Sequence, residues 1–222
     1  MLFPRPLLAL LFTAASGWGY TEPLSVEDRA LIDRARAKAG STEHEVCAYT
    51  VSSNDGQRRT RVRFDPSDVG NPWRLLEQDG ASLGDAEAED YEAPSQASHP
   101  ANVDVSSLDS EDLHVLRRDV DMVVFGFSPR DDRGDLIHKS VSGELTVRRA
   151  DAVLTSTLIS GANFRRAVVV KMRDFRIQTM LDYDPEVGAV VMQAMDMAMD
   201  GSVALKKIEV GFHLDFGDFD CP

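Results

Sequence analysis

Apolar and polar residues alternate with a period of two along most of the chain after residue 112. The pattern is clearest near the end, where every second residue from Ile208 to Phe216 is apolar and charged residues such as Lys207 and Glu209 lie between them. Such alternation is typical of antiparallel strands with one buried and one solvated face. Turn signals such as Asp184-Pro185 separate the segments, which predicts a meander of consecutively paired strands.

These segments predict one antiparallel sheet of about nine strands, wide enough to curl. A turn at Ser160-Gly161-Ala162-Asn163 is expected to end one of the strands. The apolar face of the sheet needs a cover, and only one clear helix is available for it. We therefore predict a mainly β (α+β) fold, a strongly curved antiparallel meander sheet that forms a half-barrel in a single domain over residues 20–222. The strands are expected at 46–51, 60–65, 73–77, 113–116 leading into 120–127, 140–148, 152–160, 175–183, 187–199 and 203–216.

The one clear helix is predicted over residues 25–39, before the first strand. Ser25 can cap its N-terminus, and Asp28 lies three residues further on, as in a weak capping box. Gly40 is placed to end it. Its apolar stripe consists of Leu31, Ala35 and Ala39.

Residues 81–112 interrupt the strand pattern. The stretch from Asp85 to Asp112 is acidic, holds small and turn-forming residues, and has almost no apolar periodicity. It predicts an acidic mobile excursion from the sheet over 81–112, with a short helix near Asp85–Tyr91.

The first 19 residues have the order of a secretory signal peptide. Arg5 precedes an apolar run from Leu7 to Phe12, and small residues follow at 13–17. The run is too short to span a bilayer, and no other apolar run in the chain is long enough. We therefore expect a soluble exported protein from which residues 1–19 are removed, the alternative being a buried N-terminal helix.

Composition and charge narrow the possible functions. Acidic residues outnumber basic ones by 37 to 24, and the formal net charge of -13 argues against binding to nucleic acid or to anionic lipid surfaces. An apolar fraction of 43% is enough for a packed core. Cys47 and Cys221, an even pair in an exported chain, predict a disulfide. The alternative is one buried thiol and one free thiol near the C-terminus.

No catalytic motif stands out. The five histidines form neither His-x-x-x-His nor His-Glu-x-x-His, and there is no Gly-x-Ser-x-Gly and no glycine-rich phosphate loop. We therefore predict no enzymatic activity and no cofactor. Met195, Met197 and Met199 would share one face of a strand, where they suit a core or an adaptable cavity, or alternatively a Cu(I) site.

Two further sets of residues are candidates for binding. Arg59, Arg61 and Arg63 lie on one face of a strand, where they could hold an anionic headgroup or an acidic partner, or pair with the chain's own carboxylates. The apolar positions of the strands could line a ligand cavity or fill a core, and alternation does not distinguish the two. The cavity candidates are Val123, Phe125, Phe127, Phe175, Ile177, Leu181, Val210, Phe212, Leu214 and Phe216.

The order of these features resembles the exported half-barrel proteins of the LolA and LolB lipoprotein-carrier superfamily. An export signal and an early helix precede the first strand, and a long hairpin run covers Ser140 to Phe216. Between them, residues 64–91 are similar to a segment of exported proteobacterial proteins in which Trp-x-Leu-Leu-x-x-Asp-Gly, here Trp73 to Gly80, precedes a short acidic helix. The resemblance implies a periplasmic location in a Gram-negative bacterium and a hydrophobic cavity for acyl chains or a lipidated partner.

Three functions remain open at this stage. The preferred hypothesis is a non-enzymatic protein that binds a lipid or another apolar ligand in the half-barrel cavity, with a lipid or a lipidated protein as its partner. The first alternative is an envelope protein-interaction or structural module with a filled core, whose acidic excursion contacts a protein. The second alternative is a Cu(I)-binding protein that uses the methionines.

Overall fold

The structure, a computed structural model, describes residues 23–39, 47–83, 100, 103, 108, 111–130, 139–167, 170–204 and 206–221. Within these residues the chain forms one helix and eleven strands. The helix is α1 (Val26–Ala39). The strands are β1 (Ala48–Asn54), β2 (Arg59–Phe64), β3 (Trp73–Gln78), β4 (Ala81–Ser82), β5 (His114–Arg118), β6 (Met122–Phe127), β7 (Val141–Arg148), β8 (Val153–Ala167), β9 (Val170–Asp184), β10 (Ala189–Val203) and β11 (Lys206–Asp220).

All eleven strands belong to one antiparallel sheet. Its order is β4-β3-β2-β1-β11-β10-β9-β8-β7-β6-β5. Neighbours in the sheet are therefore consecutive in sequence except at one seam, where β1 pairs with β11. The short strand β4 and β5 lie at the two edges, and the sheet is not closed. The predicted mainly β fold with an open, half-barrel-like sheet is confirmed. It has more strands than the about nine expected. The strand without an expected counterpart is β4, which is only two residues long.

Helix α1 begins as its sequence predicts. The backbone N–H and the Oγ of Ser25 both donate to Asp28 Oδ2, at 2.8 and 2.6 Å, and the Asp28 N–H donates to Ser25 Oγ at 3.1 Å. This reciprocal pair is a capping box. The expected stop at Gly40 lies outside the described residues. The helix packs through a buried stripe of Leu31, Ile32, Ala35 and Ala39.

The last four strands are each 15 residues long and form two long hairpins. The predicted turn at Ser160–Asn163 is wrong, because β8 continues through it. Gly161 pairs with Val141 of β7 and with Phe175 of β9, and Ala162 and Phe164 pair with β9, so the strand continues through the segment. Asn163 takes a left-handed conformation with φ 53°, which asparagine tolerates. Turn-forming residues are thus accommodated inside a strand.

One face of the sheet, here called the inner face, packs against α1. A single core cluster joins the helix with residues from β5 to β11, and α1 lies against β7, β8 and β10. Because seven neighbouring strands contact one core, the sheet curves around it. The fit is close at Gly143, where an added Cβ would lie 2.2 Å from the Phe127 ring. The fully buried large side chains of this core are Phe125, Leu145, Leu154, Val123, Val147, Val153 and Val190.

Part of the predicted excursion belongs to the core. Pro100 is fully buried, and its carbonyl accepts a hydrogen bond from the Met192 N–H at 2.8 Å. Leu108 is buried in the core and Val103 packs against it. The excursion is therefore anchored to the inner face at these positions, and its mobility stays a prediction. The expected short helix near 85–91 and the signal-like residues 1–19 lie outside the described residues.

The predicted disulfide between Cys47 and Cys221 is present. The two Cα atoms are 4.3 Å apart, although the residues are 174 positions apart in sequence. Cys47 precedes β1 and Cys221 follows β11, so the bond closes the seam of the sheet. It packs with a small cluster of Val187, Ala189 and Val191. Among the described residues, no helix is long and apolar enough to cross a membrane.

Candidate functional site

Beyond α1, the inner face continues toward the ends of the long hairpins as an apolar surface. Strand pairing aligns its side chains in rows, of which Ile159, Ile177, Met197 and Phe212 form one across β8, β9, β10 and β11. Side chains two positions apart on a strand share a face, so this row lies on the same side as the core. We call the following residues the open apolar face: Ile159, Phe175, Ile177, Met197, Met199, Val210, Phe212 and Leu214.

This surface is only partly covered. None of its eight side chains is buried, and Val210 is 38% exposed. The core residues under α1 are at most 8% exposed. Toward the hairpin ends, the surface is bordered by a small buried cluster of Val141, Phe164 and Met172. The open apolar face is therefore a strip between two packed regions.

The ten predicted cavity residues fall into separate groups. Val123, Phe125, Phe127 and Leu181 are buried in the core under α1, and Phe216 is partly buried against it. Alternation could not separate them from the rest, because it reports the face of a strand and not what covers that face. Whether any of them lines a ligand cavity stays a prediction. The remaining five belong to the open apolar face: Phe175, Ile177, Val210, Phe212 and Leu214.

The three candidate methionines share the inner face of β10, as predicted. Met195 packs against the core under α1, and Met199 packs against the cluster at the hairpin ends. Met197 lies between them, paired with apolar residues on both neighbouring strands. Within the described residues, no group of three or more His, Cys, Asp or Glu side chains could hold a metal ion. The Cu(I) hypothesis, which relies on thioethers, stays a prediction.

The arginines of β2 border a charged groove on the outer face, opposite α1. Strand register places Arg74 of β3 beside Arg63. The sequence analysis missed Arg74, because finding it requires the β2–β3 pairing. Together with Arg61, these guanidinium groups line a cavity of 460 Å³. The carboxylates that line the same cavity, and balance the three positive charges, are Asp65, Asp68 and Asp218.

Two of the three predicted anion-binding arginines interact with one residue of the chain itself. Arg61 donates to Asp218 Oδ2 at 2.8 Å, and Arg63 donates to the Asp218 carbonyl at 2.9 Å. Hydrogen bonds from Thr50 and then from Arg61 hold the pKa of the Asp218 carboxyl below its usual range. Arg59 is exposed. Binding of an external anion by these arginines stays a prediction, and the ion pair with Asp218 competes with it.

His213 lies between two carboxylates on the outer face of β11. Its Nδ1 is 2.7 Å from Asp196 of β10, and its Nε2 is 2.9 Å from Asp215. The hydrogen bond with Asp196 raises the pKa of His213 above its ordinary value, with a smaller opposing effect of burial and further support from Asp215. Only the protonated ring can donate from both nitrogens, so the site favours the imidazolium. His213 was not among the residues singled out from the sequence, because Asp196 is brought beside it only by strand pairing.

Comparisons with known proteins add a distant likeness in fold. No family model matches this sequence, and no curated protein matches it. Among solved structures, it is similar to a LolA superfamily protein from Nitrosomonas europaea, with 12% sequence identity and a TM-score of 0.37. The match covers 89% of this chain and 94% of that one. A likeness at this level assigns neither a ligand nor a function to this chain.

Proposed function

We propose that the protein binds the acyl chain of a lipid on the open apolar face and catalyses no reaction. The observation that supports this function is the row of Ile159, Ile177, Met197 and Phe212, which are apolar on four consecutive strands and yet not buried. Removing apolar surface from water contributes about 25 cal/mol per Å². A hydrocarbon chain that covers this row therefore gains affinity without any reacting group.

The surface suits a long and flexible ligand. It extends along the strands, from the core under α1 to the buried cluster at the hairpin ends. Met197 and Met199 lie along it, and their unbranched thioether side chains can adapt to ligands of different shape. An acyl chain can contact several rows in succession, whereas a compact ligand can contact few of them.

The same proposal locates the protein outside the cytoplasm. The signal-like order of residues 1–19 supports export, and the Cys47–Cys221 bond agrees with an oxidising compartment such as the periplasm of a Gram-negative bacterium. In this proposal, residues 20–222 are the mature single domain, and a lipid or a lipidated protein is the partner.

A pair of methionine substitutions tests the location of the ligand. Met197 is on the open apolar face, whereas Met180 is 45% exposed on the outer face, where it pairs with Ala194. The mature protein is titrated with a fluorescent analogue of palmitate. We expect Met197→Gln to weaken binding by about tenfold or more, because the acyl chain would leave the amide without a hydrogen-bond partner. Met180→Gln is the matched control and should bind like the parent protein.

Two results would contradict the proposal. Equal affinities for the two variants would show that the ligand does not lie on the open apolar face. A parent protein that takes up no palmitate analogue, and carries no lipid in native mass spectrometry after purification from its own compartment, would exclude acyl binding altogether.

The filled core under α1 favours a second candidate, an envelope protein-interaction module. This candidate predicts no lipid uptake, and loss of partner capture when residues 84–99 are deleted. The deletion ends before Pro100 and so keeps Pro100 and Leu108, which are buried and are needed for the fold. The Cu(I) candidate is tested by replacing Met195, Met197 and Met199 with leucine, which keeps the apolar surface and removes the thioethers.

A further inference from the structure

The two long hairpins extend beyond their neighbours in the sheet. Pairing of β7 with β8 reaches Gly161, and pairing of β1 with β11 reaches His213. Past these points β8, β9, β10 and β11 still pair with one another, up to Ala167–Val170 and Val203–Lys206. The six residues that follow Gly161, up to Ala167, add roughly 20 Å at about 3.3 Å per residue. We call this four-stranded extension the projection.

The projection is basic, although the chain as a whole is acidic. Its segments 164–174 and 200–210 hold six Lys and Arg residues and three Asp and Glu residues, against a net charge of -13 for the whole chain. The pairing of β9, β10 and β11 places Lys171, Ser202 and Lys207 in one row. Lys206 is adjacent, and all three lysines are exposed. Cationic side chains are thus concentrated where the sheet extends furthest.

The acidic residues of the projection lie two rows further from its end than Lys171, Ser202 and Lys207. Asp200 pairs with Asp174 on one side and with Glu209 on the other. Two of the three have ion-pair partners in the projection, because Arg173 contacts Asp200 and Lys207 contacts Glu209 at 2.5 Å. Lys171 and Lys206 lie nearer the end of the projection than this acidic row, and both are exposed.

Apolar residues accompany these cations at the end of the projection. Val170 and Val203 pair across β9 and β10 and are only partly buried, and Ala204 is exposed. Met172 and Phe164 lie just behind them in the buried cluster. Basic side chains around an apolar end are the combination that binds an anionic lipid interface, since cations contact headgroups and apolar side chains enter the acyl boundary.

We propose that the projection docks the protein on an anionic lipid surface. The negative charge of the rest of the chain does not prevent this, because exposed charges are screened over about 8 Å at physiological ionic strength and the projection extends roughly 20 Å past Gly161. The net charge alone argued against such binding, but its distribution along the hairpins favours it. This docking is independent of acyl binding on the open apolar face and is measured separately.

Charge reversal at two places of equal charge tests the proposal. Lys171→Glu with Lys206→Glu changes the projection. Arg29→Glu with Arg34→Glu is the matched control, because both arginines are exposed on α1. Helix α1 lies toward the opposite end of β8, where Lys38 donates to the Asp151 carbonyl. Cosedimentation is measured with vesicles of phosphatidylglycerol in phosphatidylcholine and with vesicles of phosphatidylcholine alone.

The parent protein should bind the anionic vesicles and lose this binding as salt is added. The projection variant should bind about 30-fold more weakly or worse, and the control variant should bind like the parent. If the projection variant is poorly folded, Lys171→Gln with Lys206→Gln should still show a clear loss. Met197→Gln should leave vesicle binding unchanged, which keeps this test separate from that of acyl binding.

Three results would overturn the proposal. The first is binding of the parent protein to neutral and anionic vesicles alike, and the second is an equal loss in the projection and control variants. The third is binding to polyglutamate without binding to either kind of vesicle, which would assign the projection to an acidic protein partner instead.

Discussion

Phe125 and Phe212 lie on the same face of the same sheet, yet Phe125 is fully buried and Phe212 is only partly covered. Both occupy regular alternating positions in their strands. The difference is that Phe125 belongs to the core that contains the buried stripe of α1 and Leu108, whereas Phe212 belongs to the open apolar face. Strand alternation thus determines the direction of a side chain, and tertiary cover determines whether that direction leads to a core or to a binding surface.

The region covered by α1 is also stabilised by an ion pair between the helix and the sheet. Arg118 of β5 donates to Asp28 Oδ2 at 2.7 Å, and only 6% of the Asp28 side chain is exposed. Burial alone would raise the pKa of this carboxyl, but hydrogen bonds from Arg118 and Ser25 outweigh it and hold the pKa below its usual range. The N-terminus of α1 is therefore tied to the edge of the sheet.

Replacing Phe125 or Phe212 by alanine should give the largest difference in unfolding free energy between the two regions. We expect Phe125→Ala to lower the free energy of unfolding by about 4 kcal/mol, because it leaves a cavity in a packed core. Phe212→Ala should cost about 1 kcal/mol, since its side chain is already partly in water. Urea unfolding followed by circular dichroism measures both. Similar costs would show that the open apolar face is packed in solution.

Asp28→Asn and Asp218→Asn should give a smaller difference in unfolding free energy, because Asp28 is in a buried ion pair and Asp218 in an exposed one. The Asp28 side chain is only 6% exposed and pairs with Arg118, so we expect the loss of its charge to cost about 2 kcal/mol or more. Asp218→Asn is the control, because Asp218 pairs with Arg61 at an exposed site and such pairs contribute about 0–1 kcal/mol. Equal unfolding free energies for the two variants would refute the role of Asp28 in fastening α1.

The smallest predicted effect is the pH dependence of stability that arises from His213 on the outer face. The raised pKa of His213 means that the folded state holds its proton more tightly than the unfolded chain. Its stabilisation is therefore complete below the ordinary pKa of about 6.5 and is lost as the pH rises through the folded-state pKa. We expect the parent protein to lose less than about 1 kcal/mol over this interval, because the site is exposed.

Unfolding midpoints of the parent protein and of His213→Gln, measured at several pH values between about 5.5 and 8.5, test this effect. The difference between the two proteins should shrink as the pH rises. A difference that stays constant with pH would mean that protonation of His213 does not stabilise the fold.

Features encoded in adjacent residues could be predicted from the sequence. The Ser25–Asp28 capping box depends on side chains one turn apart, and the faces of β10 and β11 depend on a period of two. The pairing of Cys47 with Cys221 could be predicted because the chain has no other cysteine. Each of these features depends on residues close in sequence, except the disulfide, for which two cysteines allow only one pairing.

Features that depend on which strands meet could not be predicted. Arg74 joins Arg63, and Asp196 joins His213, only through strand register. The composition of Ser160–Asn163 indicated a turn, but Ser160 and Gly161 pair with β7 and β9 and Ala162 pairs with β9, so the strand continues. The open apolar face escaped prediction for a related reason, since nothing in the alternation of β11 shows where the cover provided by α1 ends.

The seam between β1 and β11 has a consequence for how the molecule assembles. Strands β5 to β11 can form as a succession of local hairpins, but β1 to β4 join the sheet only through contacts such as Ala48 with Asp220. Contacts between residues so distant in sequence form slowly, because a long loop must close first. A ribosome makes β1 well before its partner β11, so strands β1 to β4 must wait, with one edge unpaired, until β11 has been made. Loss of β11 alone would therefore leave the strands of residues 48–82 with no partner in the rest of the sheet.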